Sequence, residues 1–168
     1  MRLFFEDEAR FGRMNKVQRC WTLKGLQVKV TQQLVREFIY AFSALCPQTG
    51  DLTSLILPRA DTEAMNLFLQ VLSSKYKRQR VVLCVDKAGW HTAQALEVPA
   101  NIRLWYLPPY SPELNPVELL WREVRRNYFN NKSFDCLNDV EDQLAIALKT
   151  YAENKRKIKK LSHFPWMP

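Results

Sequence analysis

Asp7, Asp86 and Glu118 are three carboxylates separated by long stretches of chain, yet each stands at the edge of a segment patterned as regular structure. Asp7 closes the run RLFFED at 2–7, Asp86 follows the unbroken apolar VVLCV at 81–85, and Glu118 falls just after the proline loop PPYSPELNP at 108–116. In an open sheet with crossover helices, the carboxyl ends of neighbouring strands line one crevice, so acids at those ends can converge from distant positions. Two or three convergent carboxylates form a hard oxygen site suited to Mg²⁺ or Mn²⁺. Two such ions about 3.5–4 Å apart can activate a water and stabilise the leaving oxygen in phosphodiester cleavage.

The loop fixes where Glu118 points. Pro108, Pro109, Pro112 and Pro116 each lock their own φ and push the preceding residue out of the helical region, so 108–115 is not helix interior. Asn115 suits the N-cap, Pro116 the first helical position and Glu118 the third. The same residues also satisfy a capping box, in which Glu118 bonds back to the N-cap amide. Taken alone, the segment supports either reading.

The elements that must position these acids follow from periodicity. Strands are expected at 2–7, 35–46 and 52–57, the last two joined by the turn Pro47–Asp51, with a weaker pair at 17–22 and 26–32 split by Lys24-Gly25. Ala64, Leu67, Phe68, Val71 and Leu72 mark a helix from Thr62 with Asp61 or Thr62 as its cap. Buried strands are expected at 81–85 and 102–107, a short helix at 91–97, a helix from 116 to about 130 and final helices over roughly 137–160. Strands first, then alternating helix and strand, argue for an α/β fold: a mixed sheet with helices on both faces.

Composition narrows the partners. The 168 residues fit one domain, and 25 Lys plus Arg against 17 Asp plus Glu give a net charge of +8, which favours a polyanion, nucleic acid first. Cys20, Cys46, Cys84 and Cys136 are dispersed, and the only histidines are His91 and His163, so no zinc-site spacing exists. Reduced cysteines, no apolar run of membrane length and no signal peptide lead to the expectation of a cytoplasmic, nucleoid-associated protein.

FEDEARFG at 5–12, VDKAGWH at 85–91 and PPYSPELNPVELLW at 108–121 together resemble the three catalytic motifs of Tc/mariner-type transposases, in their bacterial insertion-sequence branch. The resemblance spans nearly the whole chain in order, and the last motif is the most specific. It implies a ribonuclease-H-like domain over 1–168 in which Asp7, Asp86 and Glu118 form the acid triad and hold Mg²⁺ or Mn²⁺. It further implies DNA as partner, both transposon ends and target, with hydrolysis at the element's ends followed by attack of the freed 3′ hydroxyl on target DNA. A homodimer is implied as well. The family's helix-turn-helix region is not among these residues, and an upstream reading frame is one expected source of it. Lys87 stands where the family usually has Asn, and 31 residues separate Asp86 from Glu118, slightly fewer than usual. Two rival readings stay open: a DNA-binding remnant without catalysis, and another nuclease of the same fold.

Neighbouring residues carry their own alternatives. His91 matches the family's motif histidine and is expected to touch DNA or the groups behind the metal ligands, or else to cap or pack. Glu6 and Glu8 alternate away from Asp7 and are expected in surface or structural roles. Trp121, with Val117, Leu120, Val124 and Tyr128, has the spacing of a core stripe. Arg122, Arg125 and Arg126 are expected on the exposed side of the helix as phosphate contacts, Arg122 alternatively pairing with Glu118. The basic KRKIKK at 155–160 is read as either a solvated face or a backbone contact for DNA.

Overall fold

The first strand sets the plan. Strand β1 (Arg2–Met14) carries Phe5, Ala9 and Phe11 on one face and Phe4 on the other, all buried. A strand apolar on both faces belongs inside a sheet that is covered twice. The computed structural model, which describes residues 1–164, has β1 at the centre of a five-stranded sheet ordered β3-β2-β1-β4-β5. Strands β2 (Leu34–Cys46) and β3 (Asp51–Leu57) form an antiparallel hairpin on one side of it. Strands β4 (Val81–Val85) and β5 (Ile102–Tyr106) run parallel to it on the other.

Helix α1 (Thr62–Lys75) covers one face. The Asp61 side chain caps it by accepting the Ala64 N–H at 2.9 Å, and its stripe of Met65, Phe68, Leu69 and Leu72 closes over Phe4, Phe42, Leu83 and Val85. The opposite face is covered by α2 (Val117–Val124), α3 (Leu137–Glu153) and α4 (Lys155–Ser162), with a π turn at Arg125–Phe129 between α2 and α3. Leu120, Trp121, Val124, Leu144, Tyr151 and Ile158 pack there against Phe5, Phe11, Ile39 and Leu45. Full burial of each such side chain is worth about 1.5–3 kcal/mol, so the two cores hold the sheet from both sides. The expected mixed sheet with helices on both faces is what forms. No helix among the described residues is long and apolar enough to cross a membrane.

Four expectations need correction. β1 does not stop at Asp7 but continues to Met14, because β2 offers it a partner through Leu34. Segments 17–22 and 26–32 form no strands: their side chains are exposed in both phases, and only the Lys24-Gly25 turn remains, with Leu26 N–H to Leu23 C=O at 3.0 Å. In place of a helix at 91–97 there is one 3₁₀ turn, Gly89–His91, after which the chain is irregular. β5 is an edge strand rather than a buried one, with Trp105 62% exposed.

The β2–β3 turn is tied to the C-terminal helices. Asp51 accepts from Arg2, Thr49 and Lys155, the last at 2.6 Å, so this end of the basic KRKIKK segment is engaged within the fold. Gly50 has φ +72°, and a Cβ there would lie 2.2 Å from the Lys155 carbonyl oxygen. Gly50→Ala therefore combines left-handed strain, about 1–3 kcal/mol, with a backbone clash. It should lower the urea midpoint by an amount equivalent to at least about 2 kcal/mol with an unchanged m-value.

Candidate active site

β4 pairs with β1 only from Val81–Arg2 to Cys84–Phe5, whereas β1 goes on pairing with β2. Asp7 and Asp86 each lie two residues beyond the last β1–β4 pair, in equivalent register at the mouth this opens. Asp7 is thus not at a strand end but at the point where its parallel neighbour stops. Its backbone stays locked opposite Ser43 of β2, and its side chain faces α2, where Oδ2 accepts the Trp121 indole N–H at 2.9 Å. Trp121 is core, as its spacing suggested, but it also orients an acid. Burial pushes the Asp7 carboxyl well above the usual range, and the charges of Glu118 and Glu8 push it further, against the lowering effect of the indole bond.

Glu118 is aimed by Asn115. Asn115 Oδ1 accepts the Val117 N–H at 3.2 Å, which is N-cap geometry, while its Nδ2 donates to the Glu6 carbonyl at 2.8 Å, pinning the start of α2 to β1. The capping box does not form: the Asn115 N–H goes to the Pro112 carbonyl at 3.0 Å, and among the described residues the Glu118 carboxylate accepts no hydrogen bond. Glu118 is exposed and faces the cleft.

Asp86 is held by His91. Its Oδ1 accepts from the His91 ring Nδ1 and from the Ala88 N–H, both at 2.8 Å, and the histidine bond foremost keeps its pKa below the ordinary value. His91 Nε2 meets Glu8 Oε1 at 2.9 Å and lies 3.5 Å from Glu6 Oε2. Burial works against the charged ring, but the bonds to Asp86 and Glu8 and the charge of Glu6 outweigh it and raise its pKa to about 11. His91 is therefore buried, with a carboxylate on each ring nitrogen, and is not a surface cap. Glu6 and Glu8 do face away from Asp7, as alternation required. Glu6, however, is 1% exposed and has no hydrogen-bond partner beyond this ion pair, so it is no surface residue. Burial, reinforced by Glu8, raises its pKa well above the usual value. The signal that could have placed Glu6 inside is its phase, which it shares with the buried Phe4.

Asp7, Asp86 and Glu118 line one cleft of about 490 Å³, closed on the far side by the loop from Leu107 to Pro112. Lys87 lines it too. Among the described residues, the group whose ligand atoms all lie within 4.8 Å of one another is instead Glu6, Glu8 and His91. In that group both ring nitrogens of His91 are already engaged within the protein, Nδ1 by Asp86 and Nε2 by Glu8. The cleft offers a different donor set, the carboxylate oxygens of three acids: Asp86 Oδ2 and the Glu118 carboxylate are uncommitted, and Asp7 is desolvated beside like charge with only an indole bond to relieve it. Of the arginines, Arg122 is exposed and forms no pair with Glu118 within 4.0 Å, and Arg126 pairs with Glu123 at 3.5 Å. Arg125 is half-buried over the Phe11 ring at 5.2 Å rather than on the exposed side. Because Asp7 is destabilised without a cation, Asp7→Asn should raise the melting temperature of the metal-free protein, by about 2–4 °C for each 1 kcal/mol relieved, as read by thermal denaturation in a chelator.

Residues 2–141 match the family described as DDE superfamily endonuclease. An uncharacterized protein of Sinorhizobium fredii (strain NBRC 101917 / NGR234), y4pE/y4sA, is 39% identical over 128 residues, which are 76% of this chain and 95% of that protein. The insertion element IS630 uncharacterized 39 kDa protein of Shigella sonnei is 28% identical over 150 residues, 82% of this chain and 43% of that protein. The Mos1 strand transfer complex superposes with TM-score 0.66 at 19% identity over 96% of this chain and 52% of the Mos1 chain. The Mos1 mariner paired end complex with Mn gives 0.66 at 17% identity over 96% and 53%. The chain thus spans about half the length of Mos1 and less than half of the IS630 protein, and the superpositions show the ribonuclease-H-like fold. With the family match over most of the sequence, the chain belongs to the DDE superfamily endonucleases.

Proposed function

We propose that this domain cleaves DNA strands at the ends of a transposable element and joins the freed 3′ ends to target DNA, with Asp7, Asp86 and Glu118 holding Mg²⁺ or Mn²⁺. The observation that carries this reading is that carboxylates from three separate elements line one solvent-open cleft in a member of a DDE family. When bound, paired divalent ions would activate a water and stabilise a leaving oxygen. The chain's own part is to hold oxygen donors in place: Asp7 on a strand locked by β2, Asp86 on a turn locked by His91, and Glu118 on a helix start locked by Asn115.

Basic residues beside the cleft suit a phosphate backbone. Arg10, Lys16, Arg125 and Lys132 line a second groove of about 140 Å³, and none of the four has a carboxylate within ion-pair distance among the described residues. Unpaired cations crowded together favour a polyanion, and Lys87 and Arg122 would extend the same surface toward the scissile bond. In this reading a helix-turn-helix region recognises the element's ends, and the protein acts as a homodimer. The rival reading, a DNA-binding remnant that no longer cleaves, draws on Lys87, whose ammonium competes with a metal for the cleft.

The test is cleavage of labelled duplexes carrying the sequences on either side of the gene, searched first for inverted repeats, with an RNA–DNA hybrid and a four-way junction in parallel. Mn²⁺-dependent nicking of the repeats that Glu118→Gln abolishes supports the proposal. Binding without cleavage by any metal supports the remnant, and preference for hybrid or junction supports a different nuclease. In the same binding assays, Arg10→Ala and Lys132→Ala should weaken affinity for all sequences alike, and each should reduce the slope of log K against log salt by about 0.9.

A further inference from the structure

Beyond Phe5–Cys84, no ladder hydrogen bond joins β1 to β4, so the backbone alone does not set the separation of Asp7 and Asp86. One side-chain bridge spans the gap. Asp86 Oδ1 is hydrogen-bonded to His91 Nδ1 at 2.8 Å, and Glu8 Oε1 is hydrogen-bonded to His91 Nε2 at 2.9 Å. Glu8 is peptide-bonded to Asp7. The bridge is braced at each station: Trp90 Nε1–H also donates to Glu8 Oε1 at 2.8 Å, and the Tyr106 hydroxyl donates to the His91 carbonyl at 2.8 Å. The Glu6 carboxyl group, buried with no hydrogen bond of its own, closes the third side of the ring at 3.5 Å from Nε2.

The geometry points to Glu8 and His91 as positioning residues that take the place of the missing β1–β4 ladder, setting the Asp7–Asp86 separation and committing Asp86 Oδ1 to the protein so that Oδ2 alone is offered to a metal. This rests on the proposed metal site in the cleft. Loss of the bridge leaves Asp86 on an exposed turn, free to rotate either oxygen inward and to drift from Asp7. Neither Glu8 nor His91 touches the metal in this arrangement; both act through Asp86.

Mn²⁺ titration of the DNA-free chain, followed by electron paramagnetic resonance, separates this role from general support of the fold. Four proteins are compared: wild type, Asp86→Ala, Glu8→Ala and the double variant. Glu8→Ala should weaken Mn²⁺ binding about 10–100-fold, the usual cost of removing a partner behind a metal ligand. In the Asp86→Ala background it should cause no further loss, because the residue it positions is already gone. Glu8→Gln, which keeps an oxygen acceptor for His91 and Trp90, should restore most of the affinity. Equal losses in both backgrounds, or none in either, overturn the inference. If Glu8→Ala fails to fold, His91→Gln carries the same cycle. Unchanged Mn²⁺ binding in Asp86→Ala sinks the metal-site reading and this inference with it, whereas a loss in Asp86→Ala without one in Glu8→Ala sinks only the inference.

Discussion

The structure turns on the unequal lengths of two neighbouring strands. β4 ends at Val85 while β1, carried along by β2, runs on to Met14. Where the parallel ladder stops, the sheet opens, and two aspartates in equivalent register lose their backbone tie but remain side by side. Everything near the site compensates for that gap. Asn115 bonds the start of α2 to the Glu6 carbonyl, Trp121 reaches from the core to Asp7, and the His91–Glu8 bridge crosses from turn to strand. The same opening that would weaken a sheet creates the space a substrate needs.

Electrostatics divide the acids into two kinds. Asp86 is satisfied and held charged by His91, while Asp7 is buried beside the charges of Glu118 and Glu8 with one indole bond for relief. Such imbalance is tolerable because two apolar cores, around α1 on one side and α2 to α4 on the other, anchor the strands independently of the site. A cation entering the cleft would remove the repulsion the folded chain tolerates without it. The site is thus preorganised by stable elements and left electrostatically incomplete.

Much of this was legible in the residues. VVLCV ending in Asp86, the hairpin either side of Pro47–Asp51 and the Asn115-Pro116 helix start all follow from local rules, and the structure bears them out. What escaped depends on partners distant in sequence. The end of β1 is set by its pairing with β2 rather than by its own sequence, so a strand predicted to stop at Asp7 runs to Met14. Segments 17–22 and 26–32 have residues compatible with strands, but no neighbour buries either side of them. His91 was ambiguous because its role depends on Glu8, 83 positions away, and only the β1–β4 register brings the two together. The phase that Glu6 and Glu8 share with Phe4 was the one local hint, pointing inward where charge suggested outward.

In the proposed function the divalent ion enters the cleft of Asp7, Asp86 and Glu118, not the tighter Glu6–Glu8–His91 group. A crystal of this chain soaked in Mn²⁺ and measured for anomalous scattering distinguishes the two. An anomalous peak is expected in the cleft, within about 2–2.6 Å of carboxylate oxygens of Asp7 and Asp86, with His91 still bridging Asp86 to Glu8. A peak coordinated by Glu6, Glu8 and His91, or a saturated soak with no peak in the cleft, would contradict that reading.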